Sequence, residues 1–302
     1  MNWQETLHFF MGCMPRPIGR LLTAQEENSV REIRVRAGGR ASLVGSGACT
    51  VCPGSFTQAQ VAQMAEALCE HALYARTEEQ RQGFVTLRGG HRMGLCGRVI
   101  TQGQSVRALR EISSLCIRVA GQWKGAADGL LPCVRDQEGV HSTLVVGLPG
   151  TGKTTLLRDL CRSLSEEGTH VCIVDERSEI AAMCGGVAQL DVGACTDVLD
   201  GCGKEAGLRW MLRAMSPQVL ATDELGGALD VQAVMEAARS GVAVMATLHG
   251  RSLENALARG TLYPLVQNRV FERYVLLEGG QVGQVAAVCD AQLRPLSIRE
   301  AV

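Results

Sequence analysis

The chain has 302 residues, 46% of them hydrophobic, with 30 basic and 31 acidic residues and a formal net charge of −1. That length carries two domains, one of them small, and a balanced charge supplies no global positive field to draw the protein to nucleic acid or an anionic membrane. No apolar run reaches transmembrane length, and the opening MNWQETLHFF lacks a basic segment followed by an apolar secretory core, so a cytosolic location is expected.

Thirteen cysteines stand largely among apolar neighbours, and in a long chain of unsecreted appearance they are expected to be small buried thiols rather than a disulfide framework. Cys49 and Cys52 have the spacing of half a zinc site or a redox motif. No second pair completes a tetrahedral set, so a structural role is preferred.

The first third reads as short strands and turns. Residues 30–36 alternate Ile33 and Val35 with Arg34 and Arg36, then Gly38-Gly39 turns the chain into 41–44, which predicts a hairpin. A Thr cap at 57 opens a helical pattern through Val61, Met64, Leu68 and Leu73 to about Arg76. A second hairpin is expected from 84–87, the Gly89-Gly90 turn and 93–100. Together these predict a small N-terminal α+β domain over 1–122, with a linker-like stretch at 121–141. From 123 to 302 the pattern changes to near-continuous apolar strands at 143–146, 170–174, 219–222 and 242–247 with helices between them. That is a parallel sheet covered by helices on both faces, the α/β class.

Gly147-Leu148-Pro149-Gly150-Thr151-Gly152-Lys153-Thr154-Thr155 matches G-x-x-x-x-G-K-[ST] between an apolar strand and a helical run, the context of a phosphate-binding loop. Its backbone N–H groups and helix N-terminus suit phosphate oxygens, Lys153 would bridge the β- and γ-phosphates, and the Thr154 hydroxyl would serve Mg2+. Only three of the 30 basic residues are lysines, at 124, 153 and 204, and a chance match to the motif is on the order of one in a few hundred.

Three later strand ends add polar groups at the same sheet edge. Thr222-Asp223-Glu224 forms a Walker B pattern, Asp223 holding Mg2+ partly through water and Glu224 orienting or deprotonating the attacking water. Asp175-Glu176 ends the intervening strand and supplies an acid, Glu176, near the γ-phosphate. His249, in Thr247-Leu248-His249-Gly250, can bind phosphate or relay its presence to a neighbour. The expected cofactors are ATP and Mg2+; no Asn-Lys-x-Asp guanine motif is present. Leu277-Glu278-Gly279-Gly280-Gln281 looks like an ABC signature but follows both Walker motifs, so it reads as a hairpin turn between 274–277 and 282–288.

The order Walker A, acidic box, Walker B and Thr-x-His resembles the type II and type IV secretion ATPases, which are RecA-like hexamers. More closely, the stretches at 31–36, 89–95, 110–115, 174–180, 197–202 and 215–217 resemble the stage III sporulation protein AA family. That resemblance implies a RecA-like ATPase, a homo-oligomer in the mother cell at the cytosolic face of a membrane. There it would serve a membrane protein of the channel between mother cell and forespore; separately, the balanced charge and the three lysines lead to no nucleic acid being expected as partner. It also implies that Asp175 and Glu176 stand for the acidic box and His249 for the His box, and that arginines from a neighbouring subunit complete the site. The candidates are Arg92, Arg98, Arg110, Arg118 and Arg213. Many secretion ATPases have Gly-Glu where this chain has Asp223-Glu224. The expected cycle moves the small domain against the ATPase core; the alternatives are a nucleotide switch with little turnover and a DNA-stimulated translocase.

Overall fold

The computed structural model describes residues 3–26, 29–45, 48–73, 83–102, 105–258, 260–279 and 282–296. It divides into two units, Met1–Gly121 with Ala182–Leu190, and Gln122–Ala181 with Asp191–Val302. The segment Ala182–Leu190, left with the second domain in the sequence reading, therefore counts with the first unit.

The first unit opens on two helices that the strand-and-turn reading passes over, α1 (Trp3–Cys13) and α2 (Arg16–Thr23). Leu7 and Phe10, and then Ile18 and Leu22, recur at helical spacing and are buried in one core. Strands β1 (Val30–Arg36) and β2 (Ser42–Gly45) form the expected hairpin, extended by β3 (Cys49–Val51). Helix α3 (Gln58–Leu68) is capped by Thr57, whose hydroxyl takes the Gln60 N–H while Gln60 returns to the Thr57 N–H. Left-handed backbone at Glu70 and His71 follows its end, and the expected extension to Arg76 lies outside the described residues.

Strand β4 (Phe84–Thr86) pairs with β5 (Arg92–Gln102), which forms a long ladder with β6 (Ser105–Arg118). The sheet order is β3-β2-β1-β6-β5-β4, antiparallel throughout. Ile33, Val35, Met93, Leu115 and Ile117 join the helices in the core, whereas Glu32 and Arg34 pair on the other face at 2.7 Å. The sequence reading passes over β6 because its Arg107 to Ser114 stretch is polar and only partly covered.

In the second unit, a short helix α4 (Leu131–Val134) and the ladder of β7 (Arg135–Asp136) with β8 (Gly139–Val140) occupy the linker-like stretch. The main elements are β9 (Thr143–Gly147), α5 (Lys153–Glu166) and β10 (Val171–Asp175). After these the chain enters the first unit for a small ladder, β11 (Met183–Cys184) with β12 (Val187–Ala188). It continues with β13 (Thr196–Asp200), α6 (Lys204–Ala214), β14 (Val219–Thr222), α7 (Ala228–Arg239) and β15 (Ala243–His249). Helices α8 (Leu253–Leu257) and α9 (Tyr263–Gln267) and strands β16 (Arg273–Leu277) and β17 (Val285–Asp290) complete it. The seven-stranded order is β13-β10-β14-β15-β9-β16-β17, parallel except for the final hairpin. The turn at Gly280-Gln281 lies outside the described residues. Edge strand β13 escapes sequence reading because Thr-Asp-Val-Leu-Asp lacks an apolar run.

Alternate strand residues face opposite ways. Leu144, Val146, Cys172, Val174, Leu220, Val244 and Ala246 share one core with α6 and α7. The intervening Val145, Ile173, Ala221 and Met245 are also buried, and Leu156, Leu157, Leu160 and Leu164 of α5 are fully covered, with α5 packed on β9, β10, β13 and β15.

The cysteines differ from the expectation of buried thiols. All are free; Cys49 and Cys96 are exposed, and Cys13, Cys116, Cys184, Cys195 and Cys202 only half-buried. Among the described residues no group of three or more His, Cys, Asp or Glu is placed to hold a metal, and no helix is long and apolar enough to cross a membrane.

His91 in the first unit is buried against Phe9 and Phe10, with ring centroids 6.4 and 4.8 Å away. Its Nδ1 accepts the Ala120 N–H at 3.0 Å, so the ring is neutral there, and burial lowers its pKa from 6.5 to about 4. A folded pKa below the unfolded one makes this contribution complete above about pH 6.5 and removes it as pH falls toward 4. Lowering pH through that window should cost about 3 kcal/mol at this residue. Denaturant titration at several pH values should show that slope in the wild type and a flatter one in His91→Phe.

Candidate functional site

The parallel register sets the geometry. His249 pairs with Gly147, Thr222 with Ala246 and Val174 with Thr222. The loop after β9, the acids after β10 and β14 and the histidine ending β15 therefore share the carboxyl edge of one sheet, where open α/β sheets bind ligands.

Between β9 and α5, Thr151 Oγ1 donates to the Leu148 carbonyl at 2.9 Å, and Lys153 Nζ donates to the same oxygen at 2.9 Å. Gly152 caps α5 with φ of 91°, and a Cβ there would lie 2.5 Å from the Gly283 nitrogen, so both backbone angle and close approach require glycine. The Gly283 N–H closes the contact on Thr151 O at 2.8 Å. Thr154 and Thr155 follow in the first turn of α5, half-buried.

Lys153 Nζ also lies 3.1 Å from His249 Nδ1, and His249 Nε2 lies 3.1 Å from Glu224 Oε1. An ammonium only donates, so Nδ1 accepts and the ring hydrogen on Nε2 points to Glu224. The second Glu224 oxygen receives Arg177 at 3.2 Å, and the Glu224 N–H donates to Thr247 Oγ1 at 2.8 Å. Glu224 holds a left-handed φ of 37°, a strained conformation that these three bonds maintain. Burial lowers the Lys153 pKa, with Glu224 opposing the shift.

Asp223 is 3% exposed and, among the described residues, its Oδ1 has no hydrogen-bond partner; the Lys204 Nζ stands 3.6 Å away. Burial raises its pKa to about 6 against the pull of Lys204, and Asp175 adds to the rise. Lys204 Nζ also donates to Glu176 Oε2. Burial alone would lower the lysine, but the Glu176 bond and the charges of Asp223, Glu176 and Asp230 leave it above its ordinary value.

Asp175, fully buried, serves the backbone. Its carboxylate accepts the N–H groups of Glu179, Ile180 and Ala181 at 2.8, 3.0 and 2.8 Å, while Arg158 holds the Glu179 and Ile180 carbonyls. The acid facing the other site residues is Glu176.

Arg213 is exposed in the last turn of α6, about 14 Å along the axis from Lys204, so it does not join the acids of its own chain. In the first unit Arg92 stacks over the Phe84 ring at 3.9 Å, Arg98 pairs with Glu111 at 3.6 Å and Arg118 with Glu32 at 3.9 Å; Arg110 is exposed on β6.

Sequence reasoning missed Lys204 and Arg177. The signal for Lys204 is its position: an ammonium in the first turn of a helix opposes the macrodipole, so it needs acidic neighbours.

The assembled chemistry is specific in kind. The N–H groups of the first turn of a helix, here α5, and the Lys153 ammonium suit phosphate oxygens. The orphaned Asp223 oxygen and the Thr154 hydroxyl are hard ligands that fit Mg2+. Replacing Asp175 by Ala should leave two buried N–H groups and one half-buried N–H group without an acceptor and lower stability by about 3 kcal/mol; wild-type stability on denaturant titration would remove its structural role.

The chain matches the family model "Sporulation stage III, protein AA" over residues 10–294. It is 39% identical to stage III sporulation protein AA of Bacillus subtilis over 280 residues, 90% of this chain and 91% of that protein. In fold it is similar to the ATPase DotB of Legionella pneumophila, with a TM-score of 0.58, 15% identity, and coverage of 87% of this chain and 76% of that one. It is also similar to the pilus retraction motor PilT with bound ADP, with a TM-score of 0.53, 16% identity, and coverage of 86% and 78%. The fold of the parallel-sheet core is thus RecA-like.

Proposed function

The chain belongs to the sporulation stage III protein AA family, and on that premise we propose that it is an oligomeric, secretion-type ATPase binding ATP and Mg2+ at the carboxyl edge of its parallel sheet. The observation that carries the reading is the hydrogen-bonded line from Lys153 through His249 to Glu224, which joins the phosphate loop to the Walker B acid.

Lys153 exchanges its bonds to Leu148 and His249 for β- and γ-phosphate oxygens, and the loop N–H groups from Gly147 to Thr155 supply the rest of the cradle. The Thr154 hydroxyl and Asp223, partly through water, would hold Mg2+, which when bound neutralises developing charge on the phosphates. Glu224, fixed by His249 and Arg177, orients and deprotonates the attacking water. Glu176 is the second acid at the γ-phosphate side, and His249, released by Lys153, reports occupancy to Glu224. Remaining charge comes from a neighbouring subunit, with Arg92, Arg98, Arg110, Arg118 and Arg213 as candidates. In this reading the ring, a hexamer as in secretion ATPases, works at the cytosolic face of the mother-cell membrane on a channel protein.

Steady-state phosphate release tests this. Wild-type turnover should require Mg2+, Lys153→Ala should abolish it, and Glu224→Gln should lower it by about 100-fold or more while nucleotide still binds. A Lys153→Ala variant at the wild-type rate would sink the site, and a wild type that binds nucleotide without releasing phosphate would reduce the protein to a switch. Light scattering with a non-hydrolysable analogue should reveal an oligomer; a monomer with and without analogue removes the trans-arginine mechanism.

A further inference from the structure

We propose that Lys204 is a positioning residue: it is the internal counter-ion that holds the Asp223 and Glu176 carboxylates together in the metal-free protein and hands that role to a divalent cation. The inference rests on the reading of Asp223 as a metal-holding group.

One ammonium reaches acids carried on two strand ends. Lys204 Nζ donates to Glu176 Oε2, following β10, and stands 3.6 Å from Asp223 Oδ1, following β14. Both Lys204 and Asp223 are buried, and among the described residues Asp223 Oδ1 receives no hydrogen bond of its own. A buried carboxylate without a donor or counter-charge is costly, so the contact stabilises the acid that the metal must meet.

The fold is arranged to deliver this lysine. Lys204 is the first residue of α6. Gly207, one turn later, lets the helix approach so closely that a Cβ would lie 2.5 Å from Val174 Cγ1 of β10. The ammonium there opposes the helix dipole, and the two carboxylates offset that. A dication serving Asp223 supplies the same positive charge from another side, which lessens the need for Lys204 without any change in the backbone.

Thermal unfolding of the nucleotide-free full chain, in EDTA and then with Mg2+ alone, tests the inference. Lys204→Gln should melt about 5 °C or more below the wild type in EDTA. Millimolar Mg2+ should return most of that loss while moving the wild type by no more than about 1 °C. The double variant Lys204→Gln with Asp223→Asn should lose the Mg2+ response, and Lys204→Arg, which keeps the charge, should melt near the wild type in EDTA. If Lys204→Gln does not fold in EDTA, refolding it in Mg2+ should recover it. A variant as stable as the wild type, or a deficit that Mg2+ leaves unrepaired, overturns the proposal. No nucleotide enters this experiment, so its failure is separate from any failure of Lys153→Ala to abolish ATP turnover.

Discussion

Parallel strands ending at one level crowd their termini, and that crowding governs the second unit. The register of β10, β14, β15 and β9 brings Asp175, Glu176, Asp223, Glu224 and His249 to the same edge as the glycine-rich loop. Carboxylates gathered in a half-buried place must each find a proton, a cation or a row of N–H donors. The chain uses the last two. Asp175 takes three backbone N–H groups, Glu176 and Asp223 share Lys204, and Glu224 lies between His249 and Arg177.

From this follows the character of the site. Lys153 is pointed at a carbonyl and an imidazole, both of which a phosphate oxygen can replace with a stronger, charge-assisted bond. Asp223 already faces the Lys204 ammonium. On the proposed function, entry of a magnesium-bound triphosphate would therefore substitute one set of ionic contacts for another, the residues changing partners rather than positions. The strained backbone at Glu224 fits the same picture, since a residue braced at both oxygens and its N–H is preorganised.

The sequence was most legible where the chemistry is local. The glycine-rich loop and Asp223-Glu224 follow apolar strands and His249 ends one, so motif and position agree, and the strands were visible because a parallel sheet buries both of their faces. It was least legible where an element is polar or a contact is distant. Strand β6 lacks a buried face over part of its length, β13 is an edge strand, and α1 and α2 carry their apolar residues in short runs. Asp175 and Glu176 are chemically alike and adjacent; only the fold separates the one that caps a loop from the one that meets Lys204. Lys204 itself is remote in sequence from both of its acids. The segment Ala182–Leu190 belongs with the first unit although nothing in its composition marks a crossing.

The claim that this edge takes a magnesium-bound nucleotide is tested most directly by calorimetric titration of a non-hydrolysable ATP analogue into the full chain, first with Mg2+ and then with EDTA. The account predicts one nucleotide per chain, bound at least about tenfold more tightly when Mg2+ is present. Absence of binding at millimolar analogue, or an affinity indifferent to Mg2+, would contradict it.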